Sequence, residues 1–147
     1  MIMTYADKVT AVKDRYAERI LKVLESIRAS LQEAGYHVEE PFDMSGDDYR
    51  WSMLVRVESK PDGDYANGDV DITFEIAESE QFEGTEEGIN FSIDVVEYGG
   101  RIRGGLTPYN YTEDVWANLD DTDAIEDRFA IFEQADPADI VTLLEGN

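Results

Sequence analysis

The sequence predicts an α+β fold: a long N-terminal helix packed on a four- to five-stranded antiparallel meander sheet, followed by short C-terminal helices. Three observations point there. Residues 4–34 contain neither glycine nor proline and repeat apolar side chains every three or four positions, the period of an amphipathic helix. Between residues 36 and 96, apolar and polar side chains alternate in runs separated by turn-forming residues, the period of half-buried strands. After residue 111 helical spacing returns. That order places the helices on one face of the sheet and leaves the other face wet. With 147 residues and no repeat, linker or low-complexity run, residues 1–147 read as a single domain.

Thr4 is placed to cap the first helix, with Asp7 three residues on as a capping-box variant, and Gly35 suits its left-handed stop. Tyr5, Val9, Val12, Tyr16, Ile20, Val23, Ile27 and Leu31 form the apolar stripe. Lys8, Arg15, Arg19 and Lys22 form a basic stripe beside it, and Asp7, Asp14, Glu18 and Glu25 an acidic one beyond. Thr4 to Ala34 spans roughly 46 Å at ~1.5 Å per residue, against ~17–20 Å for ordinary strands. The excess predicts an overhang, or cover by a partner. A protein partner or a homodimer formed through the N-terminal helix is therefore expected.

Tyr36, Val38 and Phe42 suggest a first strand whose end Pro41 demotes to an edge. Tyr49, Trp51, Met53, Val55 and Val57 alternate with polar residues, with only Leu54 breaking the polar face. Val70 to Ile76 and Ile89 to Val95 alternate likewise, and Val95–Val96 breaks the period as a bulge would. A short helical turn is expected to hold Val115, Trp116 and Leu119. Thr122 begins a helix with Ile125, Phe129 and Phe132 on one face, and Asp136–Pro137 begins another.

The formal net charge is −22, and it is uneven: residues 1–34 carry +1 and residues 35–147 carry −23. Such a field repels phosphates and anionic lipid, which argues against direct binding of nucleic acid or membrane. Two explanations compete: a halophile-type surface whose self-repulsion salt screens, and a DNA mimic. Lysine is scarce, four against eight arginines, and the acids alternate along strands rather than forming one tail, which favours the first. The chain has no cysteine, so disulfides, thiolate metal sites and cysteine nucleophiles are excluded. No signal-peptide layout or membrane-length apolar run occurs, and a cytoplasmic location is expected.

One stretch stands out: GGRIRGG, with tyrosines around it. Gly99–Gly100 has hairpin chemistry. Arg101 and Arg103 then share a face, either for cross-strand pairing with acids or as an anion site with Tyr109, Tyr111 and Trp116. Those five residues are the best ligand-binding candidates. Asp62, Asp64, Asn67, Asp69 and Asp71 invite a calcium reading, but the EF-hand order fails: counting from Asp62, positions five, six and twelve hold Ala66, Asn67 and Thr73. His37 is the lone histidine, no nucleotide or zincin motif occurs, and the acidic pairs are sequence neighbours that point apart on a strand. No catalytic residue, metal or cofactor is assigned.

In size, acidity and mixed α/β content the chain is similar to small acidic secretion chaperones, dimers that bind partner segments, although no central helix interrupts residues 36–106. The leading expectation is a non-catalytic protein-binding or adaptor domain with a halophile-type acidic surface. The alternatives are a small anionic-ligand binder at the arginine–tyrosine loop and a DNA-mimic inhibitor.

Overall fold

The computed structural model describes residues 4–44, 49–82, 86–98, 102–106 and 117–145. Helix α1 (Tyr5–Glu33) starts with a reciprocal cap. The Asp7 amide donates to Thr4 Oγ1 at 3.2 Å, and the Thr4 amide donates to Asp7 Oδ2 at 3.2 Å. The helix stops in a Schellman turn: Tyr36 N–H donates to the Leu31 carbonyl and Gly35 N–H to that of Gln32, both at 3.0 Å. Gly35 supplies the φ of +102° that this turn requires.

The strands are β1 (His37–Val38), β2 (Phe42–Met44), β3 (Arg50–Arg56), β4 (Val70–Phe82), β5 (Glu86–Glu97), β6 (Ile102–Leu106) and β7 (Ala117–Asn118). They form one antiparallel sheet in the order β1-β3-β4-β5-β6, with β2 also on β3 and β7 also on β5. The expected meander is present, with three differences. The first strand is split in two at Glu39–Pro41, because proline cannot donate to the ladder. The expected helical turn is, in its described part, strand β7 followed by a turn; residues 107–116 lie outside the described residues. Ala117–Asn118 instead pair with Gly88 and Ile89 of β5, because tertiary pairing satisfies backbone groups that local propensity ignores. The bulge expected at Val95–Val96 is there, as a register shift against β6.

The third difference concerns length. Strand β4 has 13 residues, about 43 Å at ~3.3 Å per residue. Helix α1 has 29 residues, about 44 Å at ~1.5 Å per residue. Strand β4 is thus about twice the ~17–20 Å of an ordinary strand against which the helix was measured.

Helices α2 (Thr122–Gln134) and α3 (Ala138–Glu145) join α1 on one face of the sheet. Asp121 caps α2 through the Ala124 amide at 3.0 Å, and Asp136 accepts from the Ala138 amide at 2.9 Å. The whole apolar stripe described for α1, from Val9 to Leu31, is buried in one hydrophobic core with Trp51, Ile72, Phe74, Phe91 and Phe129. Beneath α3, a Cβ on Gly104 of β6 would come within 3.1 Å of Leu143, so glycine here permits close helix–sheet approach.

The basic stripe of α1 meets acids of the C-terminal segment. Lys8 lies 3.1 Å from Asp120, and Arg19 bridges Glu126 and Glu133 of α2. Tyr16, buried below Arg19, donates its hydroxyl to Glu126 at 2.6 Å. The hydrogen bonds from Arg19 and Tyr16 hold the Glu126 carboxyl down at about 2, from an ordinary 4.5. Burial, then the bond to Glu126, pushes Tyr16 up to about 12 from 10.0. A depressed acid stabilises the fold above its unfolded pKa and loses that contribution as pH falls through its folded one. Glu126 therefore contributes above pH 4.5 and fades toward pH 2. Tyr16 is raised, so its contribution holds below pH 10 and fades toward pH 12. Glu126→Gln is expected to flatten the acid limb of a urea-unfolding pH profile. The loss is about 1 kcal/mol at most, since the Glu126 side chain is 47% exposed and screened by solvent. An unchanged acid limb would refute this account.

Candidate functional site

The sheet face turned away from the helices is a polar grid set by register. Strand β3 contributes Arg50, Ser52, Leu54 and Arg56; β4 contributes Asp71, Thr73 and Glu75; β5 contributes Ser92, Asp94 and Val96. Alternation does this, since successive side chains on a strand face opposite ways. Across strands, Ser52 Oγ lies 3.5 Å from Asp71 Oδ1, and Arg50 lies 3.8 Å from Glu75. Burial pushes the Asp71 carboxyl up, the Ser52 hydrogen bond opposes this, and Glu39 adds to it. Burial also pushes Asp94 up, against the pull of Arg50. The Nε of Arg50 is buried without a hydrogen-bond partner.

At one end of this face the connection between β3 and β4, residues 57–69, is organised by two opposite charges. The fully buried Asp69 accepts through Oδ1 from the amides of Val57 (2.9 Å), Glu58 (3.0 Å) and Ser59 (3.1 Å), and through Oδ2 from Ala66 (2.9 Å). Burial pushes its carboxyl up, but the donors from Ala66, Ser59 and Glu58 outweigh that and hold it well below the ordinary range. Arg56 donates through Nη1 to the carbonyls of Lys60 (2.7 Å) and Gly63 (2.9 Å) and to Ser59 Oγ (3.2 Å). Its guanidinium also lies 4.7 Å from the Tyr65 ring centre. The Tyr65 ring sits 6.1 Å from that of Tyr98.

This loop closes one side of a notch of about 400 Å³ at the sheet edge. Leu54 lies in it from the polar face, Phe42 and Tyr65 flank it, and His37, Glu39 and Glu40 complete the edge. Its size falls in the range of ligand sites, ~300–1,000 Å³. A smaller hollow of about 200 Å³ lies between α1 and the α2–α3 junction, but Arg19 and Glu133, its charged walls, are already paired with each other.

Of the five residues proposed from sequence, only Arg103 lies within a described element, strand β6, at the irregular step between Gly104 and Ile102. Arg101, Tyr109, Tyr111 and Trp116 lie outside the described residues. The acidic run 62–71 is not a ligand cage: Asp69 is committed to backbone amides, while Asp71 stands on the sheet. Among the described residues no group of three or more His, Asp or Glu side chains could hold a metal ion. Sequence reasoning missed the notch. Its one visible signal was Leu54, the apolar residue out of phase on β3.

The fold and face together define a class: an α+β protein with, among the described residues, three helices on one side of an antiparallel sheet and a polar side opposite. No family model, characterised protein or solved structure matches the chain.

Proposed function

We propose that this chain is a non-catalytic protein-binding or adaptor domain with a halophile-type acidic surface, working in a salt-rich cytoplasm. The observation that carries the reading is the distribution of exposed apolar side chains. Among the described residues five large hydrophobics are exposed; Phe42 lies on edge strand β2, Val57 and Tyr65 on the 57–69 loop, and Tyr98, just after β5, has its ring 6.1 Å from that of Tyr65. The fifth, Leu21, is on α1. Apolar groups gathered on an otherwise charged surface are the mark of an interaction site. The apolar stripe of α1 serves the core, which supports a docking surface on the polar sheet face and its edge in preference to the helix. No helix among the described residues is long and apolar enough to cross a membrane.

A photo-cross-linking residue at position 65 is expected to trap a partner protein, and one at position 21 is not. Trapping at neither site would count against the reading. Salt adaptation has a separate test. Self-repulsion at −22 predicts that unfolding free energy rises steeply between dilute buffer and about 1 M salt, where the Debye length falls to ~3 Å. Equal stability in both would remove the halophile component.

A further inference from the structure

We infer that the notch at the sheet edge receives one cationic side chain, arginine or lysine, carried on an exposed segment of the partner protein. This rests on the protein-binding reading and names where, and by what chemistry, the partner is held.

The composition of the notch selects the occupant. Leu54 is the only apolar residue that β3 turns to the polar face, and it lines the notch. Phe42 and Tyr65 are 53% and 48% exposed, large aromatic surfaces that the fold itself leaves uncovered. Glu39 and Glu40 supply two carboxylates. Glu40 is exposed and in no ion pair among the described residues. Glu39 Oε2 is ion-paired with Arg56 Nε at 3.3 Å, without the geometry of a hydrogen bond, so Glu40 is the carboxylate left to an incoming cation. The one lining arginine, Arg28, is already engaged: its Nε donates to the Val38 carbonyl at 3.1 Å and its Nη1 lies 3.5 Å from Glu25.

An apolar surface, aromatic rings and carboxylates together match a long cationic side chain. Its methylenes lie on the exposed Phe42 ring, over the buried Leu54 as a floor, while its head meets Glu40 and the Tyr65 ring. The protein already makes the same contact internally, with the Arg56 guanidinium over Tyr65. An anionic occupant would meet both the local carboxylates and the −22 field, which steers cations inward. Strand addition at this edge is disfavoured, because Pro41 breaks the edge and Arg28 covers the Val38 carbonyl. The loop is built to hold Tyr65 in position: Asp69 and Arg56 tie seven hydrogen bonds into it. Such investment in a surface loop suits a binding element that must be pre-organised.

The test is an amide chemical-shift titration of the full chain with blocked Gly-Arg-Gly, Gly-Lys-Gly and Gly-Glu-Gly peptides at about 0.15 M salt. The arginine and lysine peptides are expected to shift amides at His37, Phe42, Leu54 and Tyr65, and the glutamate peptide is not. Phe42→Ala and Tyr65→Ala each remove an exposed ring and leave the core intact. Each is expected to weaken the cationic peptides about three- to tenfold, with the rest of the spectrum unchanged. Shifts spread evenly over the acidic surface, or notch shifts in both variants equal to those of the parent, would overturn the inference. A partner that cross-links through other surfaces while the notch ignores these peptides overturns it too, and leaves the protein-binding reading standing. Saturable binding of the arginine peptide at the notch in a chain that traps no partner would support the site and sink the broader reading.

Discussion

Asp69→Ala is expected to destabilise the protein by about 3–5 kcal/mol. The substitution strands four amides, those of Val57, Glu58, Ser59 and Ala66, which now share one fully buried carboxylate. An unsatisfied buried polar group costs ~1–3 kcal/mol, and relaxation of the loop toward water recovers part of the sum. Asp69→Asn separates shape from charge. It keeps an acceptor oxygen but turns an NH₂ toward amides that need acceptors, so it too is expected to be less stable than the parent. The carboxyl is depressed below its ordinary 3.8, so its contribution is present above that pH and is lost as pH falls below it. The asparagine variant therefore loses that part of the acid dependence. Urea unfolding at several pH values reads both effects. A loss below about 1 kcal/mol for the alanine variant would mean that the loop holds itself without the carboxylate. Loosening the loop also frees Tyr65, so binding at the notch should weaken in the same variants.

Phe91→Ala is expected to cost about 3–5 kcal/mol, the usual range for a buried phenylalanine. Phe91 is fully buried on β5, at the centre of an aromatic cluster. Its ring centre lies 5.5 Å from that of Tyr16 on α1, 6.0 Å from Phe74 on β4, and 5.2 and 6.5 Å from Phe129 and Phe132 on α2. One side chain thus joins the first helix, the sheet and the second helix. Phe91→Leu keeps most of the volume and loses the ring contacts, for about 1–2 kcal/mol. Thermal and urea unfolding check both values. A nearly neutral alanine variant would show that helices and sheet are joined elsewhere. With a typical stability of ~5–15 kcal/mol, the alanine variant stands near the edge of folding in dilute buffer.

Much of the fold was legible because its signals are local. Thr4 with Asp7 announces the start of α1, and Gly35 its end, within a few residues of the structure they dictate. The alternation in β3, β4 and β5 assigns each side chain to a face without knowledge of any neighbour. The candidate site was less legible for the opposite reason. The notch joins Phe42, Leu54 and Tyr65 from three segments, and nothing in the spacing of these residues says that they meet. Asp69 looked like one of a run of ion-binding acids, because a sequence shows a carboxylate but not the four amides that surround it.

By itself, then, the chain's order of residues determined the element sequence, the buried face of α1 and the uneven acidity, since periodicity and charge are properties of near neighbours. Only tertiary structure decided how long the central strands run, that Ala117–Asn118 leave the helical pattern to pair with β5, and that three distant side chains enclose a hollow at the sheet edge. Those outcomes depend on backbone groups and surfaces far apart in the chain finding partners, and that free energy is gained only once the sheet has assembled.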